Sequence, residues 1–148
     1  MKKLFAIVFC ILYVVSFGGC EQTPRNTQTK INTETIIGYI KGWQNETVLF
    51  DEIEWVTVPG ERATELGITD DDASNGFYIH NEEDVTIEYD IADKCVICIL
   101  DWENNFVTKQ IEFVEFINTL EQRAGAFIPY MLTVEEGKII TIQEHYIP

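Results

Sequence analysis

Residues 85–91 alternate without a break: Val85, Ile87, Tyr89 and Ile91 are apolar, while Thr86, Glu88 and Asp90 are polar. A helix would scatter those four apolar side chains around its axis; a strand puts them on one face. The chain must therefore build a sheet with one covered and one wet face here. Ala92-Asp93-Lys94 reads as a turn, and Cys95 to Trp102 returns as a more fully apolar, central strand.

The other segments arrange themselves around that hairpin. Thr35 to Trp43 predicts a strand in which Gly38 and Gly42 allow a bend or close backbone approach. Gln44-Asn45-Glu46 turns the chain. Thr47 to Val58 is β-rich but loses its alternation at Asp51-Glu52, so a bulge or two short strands are expected before Pro59-Gly60. Glu61 to Leu66 predicts one or two helical turns closed by Gly67. Residues 69–84 are acidic and read mostly as loop, with a short extended piece at Phe77-Ile79.

Ile111 to Arg123 is the main predicted helix. Ile111, Val114, Ile117 and Leu120, with Phe113 and Phe116 alongside, form its apolar face, and Gly125 and Pro129 end it. Residues 130–134 and 138–146 flank Glu135-Glu136-Gly137 as a hairpin, with Ile140, Ile142 and Tyr146 on one side. The expectation is a single α+β domain over residues 31–148: an antiparallel, curled β-sheet packed with one main helix at about 111–123. A helix between the third and later strands of a curled five-stranded sheet is also the order of an OB-like barrel.

The N-terminal residues carry an address. Met1-Lys2-Lys3 is a short positive region, and Leu4 to Phe17 is an apolar stretch too short to span a bilayer comfortably. Small residues lead into a cysteine at Gly18-Gly19-Cys20, the layout of a cleaved secretory signal. With the cysteine in that position, the segment resembles the lipobox of bacterial lipoproteins, although Phe17 stands where Leu is usual. The resemblance implies that residues 1–19 are removed as a signal peptide and that Cys20 is diacylglycerylated. Cys20 would then anchor the chain on the extracytoplasmic face of the cell membrane. Residues 20–30 are polar and contain Pro24, so they read as a flexible tether.

Charge narrows the partners. The 148 residues include 10 Lys+Arg against 25 Asp+Glu, a formal net charge of −15, which phosphate backbones repel; nucleic acid is excluded as a partner. Between residues 51 and 103 the only basic side chains are Arg62 and Lys94, and the excess of acid there offers a patch for a basic protein partner in the envelope. Trp43 and Tyr78, with Asp70 and Asp72, are the candidate partner-binding residues; aromatics of this kind also stack on sugars. Trp55 and Trp102 are expected in the core.

Three chemical readings compete with a plain binding module. Residues 71–82 partly match a calcium loop of the EF-hand type. Asp71, Asn75 and Glu82 supply oxygens and Gly76 the turn, but Ala73 fills a ligand position. Calcium is thus the one candidate cofactor, in an alternative role as a calcium- or small-ligand-binding sensor domain. Cys95 and Cys98 have redox or zinc spacing, yet three residues apart in a strand they point to opposite faces; buried thiols fit better. No nucleophile elbow or triad appears, and a carboxylate-based hydrolase has no specific signal among so many acids. The reading is a membrane-tethered, non-enzymatic lipoprotein with a binding module.

Overall fold

The structure is a computed structural model that describes residues 32–83 and 85–147; Cys20 and the signal-like segment lie outside them. Among the described residues, eight strands and two helices follow one another. They are β1 (Thr33–Gln44), β2 (Thr47–Glu52), β3 (Glu54–Thr57), α1 (Glu61–Leu66), β4 (Phe77–His80), β5 (Thr86–Asp101), β6 (Val107–Ile111), α2 (Phe113–Gln122), β7 (Pro129–Glu135) and β8 (Lys138–Glu144).

The alternating segment is the first part of β5. The chain does not turn at Ala92-Asp93-Lys94 but continues as one strand of 16 residues, roughly 50 Å long at the usual rise. Its register against β8 slips between Ile91 and Val96, so the polar triplet marks a bulge that bends the strand without reversing it. One edge of β5 pairs first with β2 and then with β6, and the other edge pairs with β8.

Five strands close into a ring. β1 pairs with β2 along its second half and with β7 along its first, β7 pairs with β8, β8 with β5, and β5 with β2. Closure hides the edges that an open sheet would expose; β6 extends the sheet beyond β5 outside the ring. The expected all-antiparallel pairing fails in one place, because β5 and β8 run parallel. Alternation of side chains reports which face is buried and carries no direction, so this feature was out of its reach.

Gly38 is where β1 and β2 approach most closely. A Cβ there would lie 2.1 Å from the Asp51 carbonyl oxygen and 2.8 Å from the Phe50 ring, so only glycine fits. Further along, β1 bulges between Ile40 and Gly42. The barrel interior is filled by Val48, Phe50, Ile97, Ile99, Leu132, Val134, Ile139 and Ile142, capped by Phe116 of α2. Each such side chain contributes about 1.5–3 kcal/mol by leaving water.

Two apolar faces differ from expectation. α2 starts only at Phe113, because Ile111 ends β6 and Glu112 is the extended N-cap residue. Its buried face is Phe116 with Phe113 and Leu120, while Val114 is 73% exposed. In the last hairpin Glu136 and Gly137 both have positive φ (50° and 80°), the backbone of a two-residue type I′ turn. β8 then slips register opposite Thr133/Val134, which puts Ile139 and Ile142 inside and leaves Ile140 half-buried; Tyr146 lies past the strand end and is exposed.

β3, α1 and β4 form a satellite beside the barrel. β3 and β4 pair as a two-stranded ribbon, with Trp55 opposite Ile79. Under it Val56, Val58, Ala63 and Ala73 make a small core of their own. Gly67, at φ 71°, ends α1 with its N–H donated to the Thr64 carbonyl, as expected.

Candidate functional site

The pairing of β1 with β7 stops at Tyr39 opposite Pro129, yet β1 runs on to Gln44. The segment leaving α2 passes beside this continuation without joining it as a strand, turning at Gly125 (φ 90°). A cavity of about 460 Å³ lies between them. Tyr39 and Trp43 of β1, Leu120 of α2, and Phe127 and Ile128 of the crossing segment give it mostly apolar walls. Phe127 is 80% exposed and stands edge-on to Tyr39, ring centroids 6.2 Å apart.

Beside those walls sits a buried polar cluster. Glu144, 3% exposed, accepts hydrogen bonds from the Leu100 N–H (2.9 Å), the Trp102 indole N–H (2.8 Å) and Arg123 Nη1 (2.6 Å). Arg123 Nη2 also donates to the Leu100 carbonyl (3.1 Å), and its guanidinium lies 4.1 Å from the centre of the Trp102 ring. Such a carboxylate holds its neighbours in place. Lys41, another lining residue, is paired with buried Asp51 at 3.1 Å. The two cations at the cavity thus arrive already neutralised.

Tyr130 also lines the cavity with its ring. It is 2% exposed, and its hydroxyl is sealed from solvent with the Arg123 side chain as its polar neighbour, outside strict hydrogen-bond geometry. Burial, and then the Glu144 charge, push the phenol well above its ordinary pKa, while nearby Arg123 pulls it down less strongly. It is a neutral hydroxyl at any ordinary pH.

A shallower hollow of about 260 Å³ lies on the other side of Phe127, lined among others by Trp102, Phe106 and Tyr146. The turn between β5 and β6 shapes it. Asp101 accepts from the Asn104 side chain (2.7 Å) and from the Glu103 and Asn104 N–H groups, which keep its carboxyl below the usual range. Asn105 and Phe106 then both take positive φ, 59° and 58°. For a bulky residue such as Phe106 that conformation is strained, and it holds the ring outward against Tyr146, 5.0 Å away. Trp102, expected in the core, is 46% exposed, because β5 ends at Asp101 and the indole falls in the turn.

The candidate binding residues named from the sequence are not gathered in one place. Trp43 is half-buried in the wall of the larger cavity. Asp70, Asp72 and Tyr78 belong to the satellite and its loop, and none of them lines that cavity. The Asp72 carboxylate accepts from the Thr69 hydroxyl (2.7 Å) and N–H (3.0 Å), which lowers its pKa. Trp55 is not a core residue either; it is half-buried, stacked on Phe77 with centroids 4.2 Å apart.

The calcium-loop residues are also dispersed. Asp71 and Asn75 precede β4 and Glu82 follows it, and four extended residues put roughly 13 Å between the two sides. Ala73 is buried in the satellite core, and Glu82 instead meets His80 at 3.2 Å. Among the described residues no three His, Cys, Asp or Glu side chains are grouped to hold a metal. Cys95 and Cys98 are free thiols, and burial pushes Cys95 up to about 11.

Sequence reasoning missed Phe127, Arg123, Tyr130 and Glu144. The one usable signal was Phe127 itself, a large apolar residue in the break between the helix stop and Pro129. No helix among the described residues is long and apolar enough to cross a membrane. Comparison with protein-family models, curated proteins and solved structures finds no match, so the site has to be read from its own chemistry.

Proposed function

We propose that the chain is a lipid-anchored, non-enzymatic binding protein of the extracytoplasmic membrane face, whose barrel takes its ligand around Phe127. The observation that carries this reading is the cluster of exposed aromatics there: Phe127, Trp102, Phe106 and Tyr146 flank two adjoining hollows. Side chains of this kind stay in water at a free-energy cost and mark interaction surfaces. The anchor rests on Lys2-Lys3, the apolar residues 4–17 and Gly18-Gly19-Cys20. The non-enzymatic reading rests on the two buried carboxylates, Asp51 and Glu144, each of which is engaged by a cation and by further hydrogen bonds. The barrel is read as OB-like; supporting this are the ring order β1-β2-β5-β8-β7 and the helix between β5 and β7. A basic envelope protein is a second ligand class, favoured by the exposed Asp70, Asp71, Glu82 and Glu83 of the satellite region.

The anchor and the site are tested separately. Cys20→Ala in the full chain should release the protein from the membrane fraction or leave it unprocessed; membrane retention and processing equal to wild type overturn the anchor. A photo-cross-linking residue at position 127 should capture an envelope component on living cells. Equal capture from an exposed position that lines neither hollow, such as Glu88, would remove the site.

A further inference from the structure

We infer that the larger cavity is a saccharide subsite, accepting one or two rings of a neutral envelope glycan; this rests on the binding-module reading and names its ligand class. Three independent observations point there. Tyr39, Trp43 and Phe127 supply aromatic surfaces on the cavity, and the C–H face of a sugar ring packs on such surfaces. Its volume of about 460 Å³ falls within the range of small-molecule sites and suits a ligand of that size.

The second observation is electrostatic. Arg123 is neutralised by Glu144 at 2.6 Å and Lys41 by Asp51 at 3.1 Å, so neither is held in reserve for an anion. A carboxylate or phosphate ligand would have to compete with buried carboxylates that already hold the cations. An apolar ligand would leave the polar side of the cavity unmatched.

The third is Glu121, exposed at the end of α2: it lines the same cavity and supplies an acceptor for a sugar hydroxyl.

The test uses the full-length chain in a detergent without a sugar headgroup. Maltotetraose, cellotetraose and chitotetraose are each titrated to about 10 mM, the weak end of specific binding, by calorimetry and tryptophan fluorescence. Saturable binding of at least one is expected. It should be lost in Trp43→Ala and in Phe127→Ala, and Glu121→Ala should weaken it by roughly five- to tenfold. Absence of saturable binding for all three sugars, or binding indifferent to both Trp43→Ala and Phe127→Ala, overturns the saccharide assignment. In the first case, specific capture of an envelope protein at position 127 would leave the binding-module reading standing, and failure of both assays would take both down.

Discussion

The barrel and the satellite are two answers to the same problem, and they are unequally secure. The barrel gathers eleven buried side chains from five strands and a helix, most of them large: Phe50, Phe116, Tyr130, Leu132 and several isoleucines. The satellite has four, and two are the alanines Ala63 and Ala73. Its strands are four residues each and pair only with one another, whereas every barrel strand has a partner on both edges. Burial per residue and hydrogen-bond cover both favour the barrel, so the satellite is the unit that opens first. Its seams to the barrel are slender: the Ile53 N–H donates to the Ile37 carbonyl at 2.9 Å, and the Trp55 ring meets His145 edge-on at 4.6 Å.

The largest predicted effect tests the barrel. Leu132→Ala opens a cavity in a fully buried site and should cost about 2–5 kcal/mol, seen as one cooperative shift of the urea midpoint by every probe. Loss of β1 and β2 at a urea concentration where β7 and β8 stay folded would show that the ring is not one cooperative unit. Val56→Ala should cost about 1–2 kcal/mol and act locally. Hydrogen exchange should lose protection over residues 54–80 while β7 and β8 stay protected; equal loss in both regions would abolish the distinction.

A smaller effect tests the seam. Burial lowers the His145 pKa below its ordinary 6.5, so the folded chain favours the neutral ring. The unfolded chain takes up the proton first as pH falls, and stability is therefore full above about 6.5 and declines below it. His145→Phe keeps an aromatic ring against Trp55 and should flatten the fall in melting temperature between pH 7.5 and 5. An unchanged slope would place the acid sensitivity elsewhere. The smallest effect concerns Arg62, which makes a two-pronged contact with Glu54 (2.7 and 2.9 Å) and a third with Glu65, all at the surface. Arg62→Ala should leave the melting temperature close to that of wild type, with the difference fading further in salt; a clear loss would mean that the satellite depends on its ion pairs more than on its core.

The barrel was legible in proportion to how local its signals are. The alternation of residues 85–91, the Gly67 cap, the α2 face around Phe116 and the turn at Glu136-Gly137 are each written within a few neighbouring residues. β6 escaped because only Ile111 of its five residues is buried, so it has no apolar period to read. The parallel match of β5 with β8, and the closure of β5 on β2, join segments 35 or more residues apart, where no local pattern reaches. The site was the least legible part. Arg123, Phe127, Tyr130 and Glu144 come from a helix end, a crossing segment and two strands, and only the closed ring brings them to one place. Trp102 misled for a related reason: its composition fits a core, but one step past the strand end the indole is turned outward.

One mechanical property follows from the position of β1. Its first seven residues, Thr33 to Tyr39, are each matched to β7, and its second half is matched to β2. A pull entering the chain at Thr33 runs along this strand, at right angles to its hydrogen bonds. The bonds must then give way together in shear, because the strand cannot be peeled off one rung at a time. Trp43, in the cavity wall, stands near the opposite end of the same strand. A load applied between Thr33 and Trp43 would run along the axis of β1, the direction in which a paired strand resists best.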